Sequence, residues 1–204
     1  MRAFVVLLSL AVIVVAAALL NRQDPSGPSL VLDSGHVVAP PRSLESFELI
    51  DHRERAFDNE RFEGRWSIAM IGFTHCPDIC PTALHQLAML KERLAERNGE
   101  LGVVFVSVDP ERDTPEVLDR YIGFFGNGLI GATGEREQLQ RVADSLDFAW
   151  VKVGQGEGRY TVDHSGALAL IDPEARLAGY FVPPFDLDAM EADLERILAS
   201  AGRL

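Results

Sequence analysis

Two cysteines carry the most reactive chemistry in this chain, and both lie in one segment, Thr74-His75-Cys76-Pro77-Asp78-Ile79-Cys80-Pro81. The segment leaves an apolar run of strand length and enters a pattern of helical period. Cys80 is therefore expected near a helix N-terminus, with Pro81 in the first turn. Unpaired N–H groups and the helix dipole at that end favour thiolate over thiol. Two activated thiols in one loop suit either a soft metal or disulfide exchange, and spacing alone does not separate these uses. A structural disulfide is a third reading, although closing so short a loop contributes only about 2 kcal/mol. The spacing C-x-x-x-C is one residue wider than the C-x-x-C redox motif, which leaves both sulfurs freer to point at one atom. Zinc in a structural site wants four ligands. Cu(I) accepts low coordination and prefers sulfur, so it is the better match for two cysteines and one histidine.

The chain has 5 histidines to offer as a third donor. His36 and His52 fall in polar, turn-rich stretches and are expected to be solvated. His75 directly precedes Cys76, yet neighbouring strand positions point to opposite faces, and His85 lies more than a turn beyond Cys80. Both are expected beside the site or in solvent rather than as ligands. His164 sits in Thr161-Val162-Asp163-His164-Ser165-Gly166, just before a strand, and its case depends on the fold.

The elements that must position these groups follow from periodicity. From Leu44 onward, apolar runs of strand length alternate with segments of helical period, the pattern of an α/β domain. Strands are predicted over 66–73, 101–108, 148–153, 167–172 and 177–182, with an N-terminal β-hairpin near 47–57. Helices are predicted over 81–97, 114–125, 135–146 and 186–201. Leu84, Leu87, Ala88, Leu90 and Leu94 make the apolar stripe of the first helix. Thr114 is placed to cap the second, with Pro115 in its first turn. Asp172-Pro173-Glu174-Ala175-Arg176 reads as a turn, so the last two strands should be antiparallel. The order describes a mixed sheet with flanking helices, a thioredoxin-like arrangement. In such a fold, the loop holding His164 lies against the cysteine loop and normally carries a cis-proline, which this loop lacks.

Residues 1–20 stand apart. The run Ala3–Leu20 has no charge and is long enough to cross a bilayer as a helix. Arg2 supplies a minimal positive region for an uncleaved anchor or a cleaved signal peptide, and the length of the run favours the anchor. Residues 21–43, with Pro25, Gly27, Pro28, Pro40 and Pro41, read as a flexible tether. Residues 44–204 then form the domain. A formal charge of −12 argues against a nucleic-acid partner, which requires clustered Lys and Arg; solubility accounts for it.

Three separated motifs, in order, make the chain resemble the SCO/SenC family of thioredoxin-like copper chaperones for cytochrome c oxidase assembly. Phe73–Pro81 matches that family's metal loop, Val106–Pro115 its second signature, and Val162-Asp163-His164-Ser165 its third. The likeness runs from about Leu44 to the C-terminus and extends to the anchor and tether. It implies copper, as Cu(I) or Cu(II), held by Cys76, Cys80 and His164. It further implies the copper-centre subunit of cytochrome c oxidase as partner, alongside other periplasmic copper chaperones or thiol reductants. The expected location is the periplasmic side of a bacterial inner membrane, reached through the N-terminal segment. No catalytic residue is implied unless Cys76 and Cys80 act as a redox pair in a thiol–disulfide oxidoreductase; a copper or redox sensor is a further reading. Asp78 and Asp163 neighbour the ligands, where tuning of the metal and turn formation are equally open roles. Asp113, Thr114 and Pro115 are read as cap and turn residues.

Overall fold

The computed structural model describes residues 31–97, 99–126, 128–156 and 159–201. The expected anchor and residues 21–30 of the expected tether lie outside them. Among the described residues no helix is long and apolar enough to cross a membrane.

The first five strands are β1 (Gly35–Ser43), β2 (Leu49–Asp51), β3 (Ala56–Phe57), β4 (Ser67–Gly72) and β5 (Gly102–Ser107). The others are β6 (Leu129–Thr133), β7 (Trp150–Gly156), β8 (Arg159–His164), β9 (Leu168–Ile171) and β10 (Arg176–Phe181). The helices are α1 (Ile79–Glu96), α2 (Pro115–Gly123), α3 (Arg136–Ser145) and α4 (Leu187–Ala201). Eight strands form one sheet in the order β1-β10-β9-β4-β5-β6-β2-β3, while β7 and β8 pair separately as a hairpin. The pairs β4–β5 and β5–β6 are parallel, and the remaining pairs are antiparallel.

The central strands are apolar because both their faces are covered. All residues of β4 and β5 are buried. Ala69, Ile71, Val104 and Val106 face a core that includes Leu139, Val142 and Ala143 of α3. The alternate positions Ile68, Met70, Val103 and Phe105 are equally buried and point to the opposite face by strand alternation. There α1 presents Leu84, Leu87, Leu90 and Leu94, and α4 packs alongside it. Thr114 caps α2 as expected, its hydroxyl oxygen accepting the Val117 N–H at 3.4 Å, with Pro115 in the first turn.

Three strands depart from the expected pattern. Residues 35–43, expected within the tether, form β1, which pairs antiparallel with β10. Pro40 and Pro41 are accommodated there because an edge strand need not donate on its outer side. The strand β6 is short and interrupted by Gly131, where an added Cβ would lie 2.8 Å from Ile122 Cγ1 of α2; the glycine permits that close helix approach. The strand β8 carries no apolar run, and its existence follows from its register with β7, from Trp150 opposite His164 to Gly156 opposite Arg159.

Candidate metal centre

The cysteine loop runs from the end of β4 into α1. Its first turn closes when the Cys76 N–H donates to the Phe73 carbonyl at 3.2 Å. Asp113, fully buried, ties the loop to the end of β5. Its carboxylate accepts the Thr74 N–H at 2.8 Å, the Thr74 hydroxyl at 2.6 Å and the Ser107 hydroxyl at 2.5 Å. The helix begins at Ile79, two residues earlier than its sequence pattern indicates, so Cys80 stands in the first turn. Its sulfur rests on Gly72 and Phe105: a Cβ at Gly72 would lie 2.7 Å from Cys80 Sγ and 2.7 Å from Phe105 Cε2.

Both cysteines are free thiols, Cys76 half-buried and Cys80 buried. They share one proton unequally. The Cys76 thiol is brought down to about 4, first by the hydrogen bond from Cys80's thiol, against the opposing effect of burial, and then by the backbone N–H groups of Cys80 and Asp78. The Cys80 N–H lies 3.5 Å from Cys76 Sγ. The Cys80 thiol is pushed far above the ordinary thiol range by its bond to Cys76 and by burial. The pair therefore rests as one thiolate and one thiol near neutral pH.

His164 reaches this pair from the end of β8. Its Nδ1 lies 2.9 Å from the Ser165 carbonyl. A carbonyl only accepts, so Nδ1 carries the proton of the neutral ring and Nε2 keeps its lone pair. That Nε2 is 3.4 Å from Cys80 Sγ. The ring also stands edge-on to Phe73, with centroids 6.0 Å apart. The ligand atoms of Cys76, Cys80 and His164 all lie within 4.8 Å of one another, the one such group of three or more His, Cys, Asp or Glu side chains among the described residues. Bonds of the length zinc makes, about 2.3 Å to sulfur and 2.0 Å to nitrogen, allow donors up to about 4.6 Å apart. Little movement would thus bring all three onto one ion. His164 and Ser165 also border a surface cavity of about 370 Å³ with Ala149, Trp150, Val151 and Asp163.

The other histidines stay away from this centre. His36 and His85 are exposed. The exposed His75 turns its Nδ1 to the Thr74 hydroxyl at 3.1 Å. His52, expected to be solvated, is instead buried, and its Nδ1 lies 3.2 Å from the Gly131 N. The reason is its place directly after β2, which pairs with β6. Asp78 is exposed at the N-cap of α1 without a side-chain capping bond. Asp163 is exposed on the face of β8 opposite to His164.

Sequence reasoning missed the two carboxylates that hold the loops. Asp113 does more than form a turn, as its three hydrogen bonds show. Asp109, also fully buried, accepts the Tyr160 hydroxyl at 2.7 Å and thereby reaches the hairpin that bears His164. The available signal was the position of Asp109 just after the buried strand β5, with Asp113 four residues further on in the same loop, where a carboxylate must find partners.

A family profile described as SCO1/SenC matches residues 38–199. The chain is 41% identical over 171 residues to a candidate copper-binding protein of Stutzerimonas stutzeri, covering 82% of this chain and 84% of that one. A structure of Arabidopsis thaliana ScoI with copper bound superposes with a TM-score of 0.70 at 32% identity, over 78% of this chain and 98% of that chain. The solution structure of apo Sco1 from Thermus thermophilus gives a TM-score of 0.73 at 32% identity, over 84% of this chain and all of that one (100%). These likenesses bear out the mixed α/β, thioredoxin-like fold.

Proposed function

The chain belongs to the SCO1/SenC family, and from that premise we propose that it is a copper chaperone that supports assembly of the binuclear copper centre of cytochrome c oxidase. The observation that carries this reading is the convergence of Cys76, Cys80 and His164 donors within 4.8 Å, with the His164 Nε2 lone pair turned to the sulfurs. Copper is the cargo. A thiolate at Cys76 receives it, Cys80 loses its proton on ligation, and His164 supplies a neutral nitrogen, so the donor set carries two negative charges. The copper-bound Arabidopsis relative supports the choice of metal. Delivery is ligand exchange with the acceptor subunit's own donors and needs no change in the protein's covalent structure. A two-electron oxidant that joined Cys76 and Cys80 in a disulfide, with loss of the proton they share, would withdraw both sulfurs, which makes loading depend on redox state. The uncharged run Ala3–Leu20 supports a location on the periplasmic side of the inner membrane, held by an uncleaved anchor.

A second reading is favoured by the asymmetry of the thiols. A half-exposed thiolate at Cys76 beside a buried thiol at Cys80 suits attack on a partner disulfide. Cys76 would form the mixed disulfide, Cys80 would displace it with loss of its proton, and the partner would leave reduced by two electrons. The His164→Ala variant separates the two readings. Under the chaperone reading, reduced protein loaded with Cu(I) transfers it to the apo copper-centre subunit, and the variant fails to retain or transfer copper while disulfide exchange continues. Copper transfer by the variant at the wild-type rate would overturn the chaperone reading.

A further inference from the structure

His164 is presented by a hairpin that lies outside the main sheet, so something must fix that hairpin to the body that carries the cysteines. Strand alternation sorts its side chains. Residues two apart share a face, so Tyr160, Val162 and His164 of β8 point the same way. So do their register partners Gly154, Lys152 and Trp150 on β7. On this inner face Val162 is buried and joins the core, and His164 meets the cysteines. The opposite face, with Val151 56% exposed and Val153 37% exposed, points outward.

Tyr160 and Lys152 converge on a single group. The Asp109 carboxylate, wholly buried in the loop after β5, accepts the Tyr160 hydroxyl at 2.7 Å and lies 3.6 Å from Lys152 Nζ. Arg112 pairs with the same carboxylate through Nε. The Arg112 guanidinium also lies over the Tyr160 ring, 3.9 Å from its centroid, and 5.7 Å from the centroid of Phe73. It donates to the Tyr160 carbonyl at 3.3 Å as well. Phe73 is the ring on which the His164 imidazole stands. Glu111 adds a 2.7 Å ion pair to Lys152 at the rim. Arg112 shares Asp109's own loop, so undocking would leave the buried carboxylate with that one partner and take away the phenol and the ammonium that the hairpin supplies.

We propose that Asp109, with Tyr160, Lys152 and Arg112, is a clasp that positions His164 against Cys76 and Cys80, so that an incoming ion meets three donors rather than two. These are positioning residues, since none of them supplies a metal-ligating atom here. The proposal rests on the copper-site reading for its consequence, but the docking of His164 can be read without metal.

The test uses the full-length reduced chain with Tyr160→Phe and Lys152→Met, Lys152→Arg as the conservative rescue, and Arg120→Ala as a surface ion-pair control. Asp109→Asn is added where it folds; the two milder substitutions carry the test regardless. Two quantities are measured: the NMR resonances of the His164 ring in metal-free protein, and Cu(I) affinity by competition with a chromophoric chelator. The clasp predicts that Tyr160→Phe and Lys152→Met move the His164 ring resonances toward those of a solvated imidazole and weaken Cu(I) binding roughly 10-fold. Lys152→Arg and Arg120→Ala should match wild type. Wild-type ring resonances in both Tyr160→Phe and Lys152→Met would overturn the clasp. Cu(I) affinity unaffected by His164→Ala would instead overturn the copper-site reading, and the metal-free resonances would still decide the clasp.

Discussion

Replacing Asp113 with alanine removes the group that fastens the cysteine loop to the end of β5, and its effect can be worked from three hydrogen bonds. The carboxylate accepts from the Thr74 N–H, the Thr74 hydroxyl and the Ser107 hydroxyl at 2.8, 2.6 and 2.5 Å. The Thr74 hydroxyl has a fallback, because His75 Nδ1 lies 3.1 Å away. The Thr74 N–H and the Ser107 hydroxyl have none and would be left without an acceptor. Each orphaned group costs about 1–3 kcal/mol, and removal of the buried carboxylate's own desolvation offsets part of the sum, for a net loss of about 3 kcal/mol. That is a large share of the roughly 5–15 kcal/mol that a domain has in total. Urea unfolding of the reduced protein, followed by circular dichroism, should show a lower midpoint at unchanged slope. Asp113→Asn should fall between, since its carbonyl oxygen serves one donor while its NH2 group confronts another. A loss no greater than the roughly 0.5 kcal/mol of an ordinary surface substitution would refute the assignment of Asp113 as the loop's anchor.

Gly72→Ala should destabilise the fold by about 1–3 kcal/mol through overpacking, because its Cβ would come within 2.7 Å of Cys80 Sγ; a variant as stable as wild type with unchanged metal affinity would contradict the close approach. Alkylation of Cys76 by iodoacetamide should rise with a midpoint at about pH 4, while Cys80 stays unmodified through neutral pH; equal modification of both thiols would contradict the unequal sharing of their proton. Burial pushes the Asp51 carboxyl upward, but the Arg55 guanidinium and the backbone N–H groups of Arg55 and Arg53 outweigh it, so its folded pKa lies below the ordinary 3.8. A depressed carboxyl contributes stability above its unfolded pKa and loses it as pH falls through the folded value. The Asp51→Asn variant should therefore show a flatter loss of stability below pH 3.8 than wild type, and parallel curves from urea unfolding across that range would count against it.

The cysteine half of the site was legible because two strong local signals meet there. An apolar run long enough to be a buried strand is followed by a helical stripe, and a loop at that junction can only open at one end of the sheet. The histidine half was legible only through the likeness of the motif around His164 to the family's, because β8 is a polar strand. Its alternation of Tyr160, Val162 and His164 becomes visible only when β7 is known to pair with it. Prolines concealed β1, since a sequence with Pro40 and Pro41 reads as a linker until an edge is available to tolerate them. His52 was misread for a similar reason. Its neighbours Asp51, Arg53, Glu54 and Arg55 look solvated, yet the Asp51 carboxylate gathers the N–H groups of Arg53 and Arg55 at 2.8 and 3.0 Å and turns the segment inward. Asp109 and Asp113 escaped because turn and cap chemistry already accounted for their motif, and Thr114 does cap α2. What long-range partners a buried carboxylate finds is a tertiary fact, not a local one.

The central claim is that Cys76, Cys80 and His164 together hold copper, and titration of the reduced chain with Cu(I) against a competing chelator tests it most directly, with Cys76→Ala, Cys80→Ala and His164→Ala in parallel and an oxidised sample beside them. The account predicts one copper per reduced chain, binding lost in either cysteine variant and in the disulfide form, and binding in His164→Ala too weak for copper to be retained. Unchanged stoichiometry and affinity in Cys76→Ala or His164→Ala would contradict it.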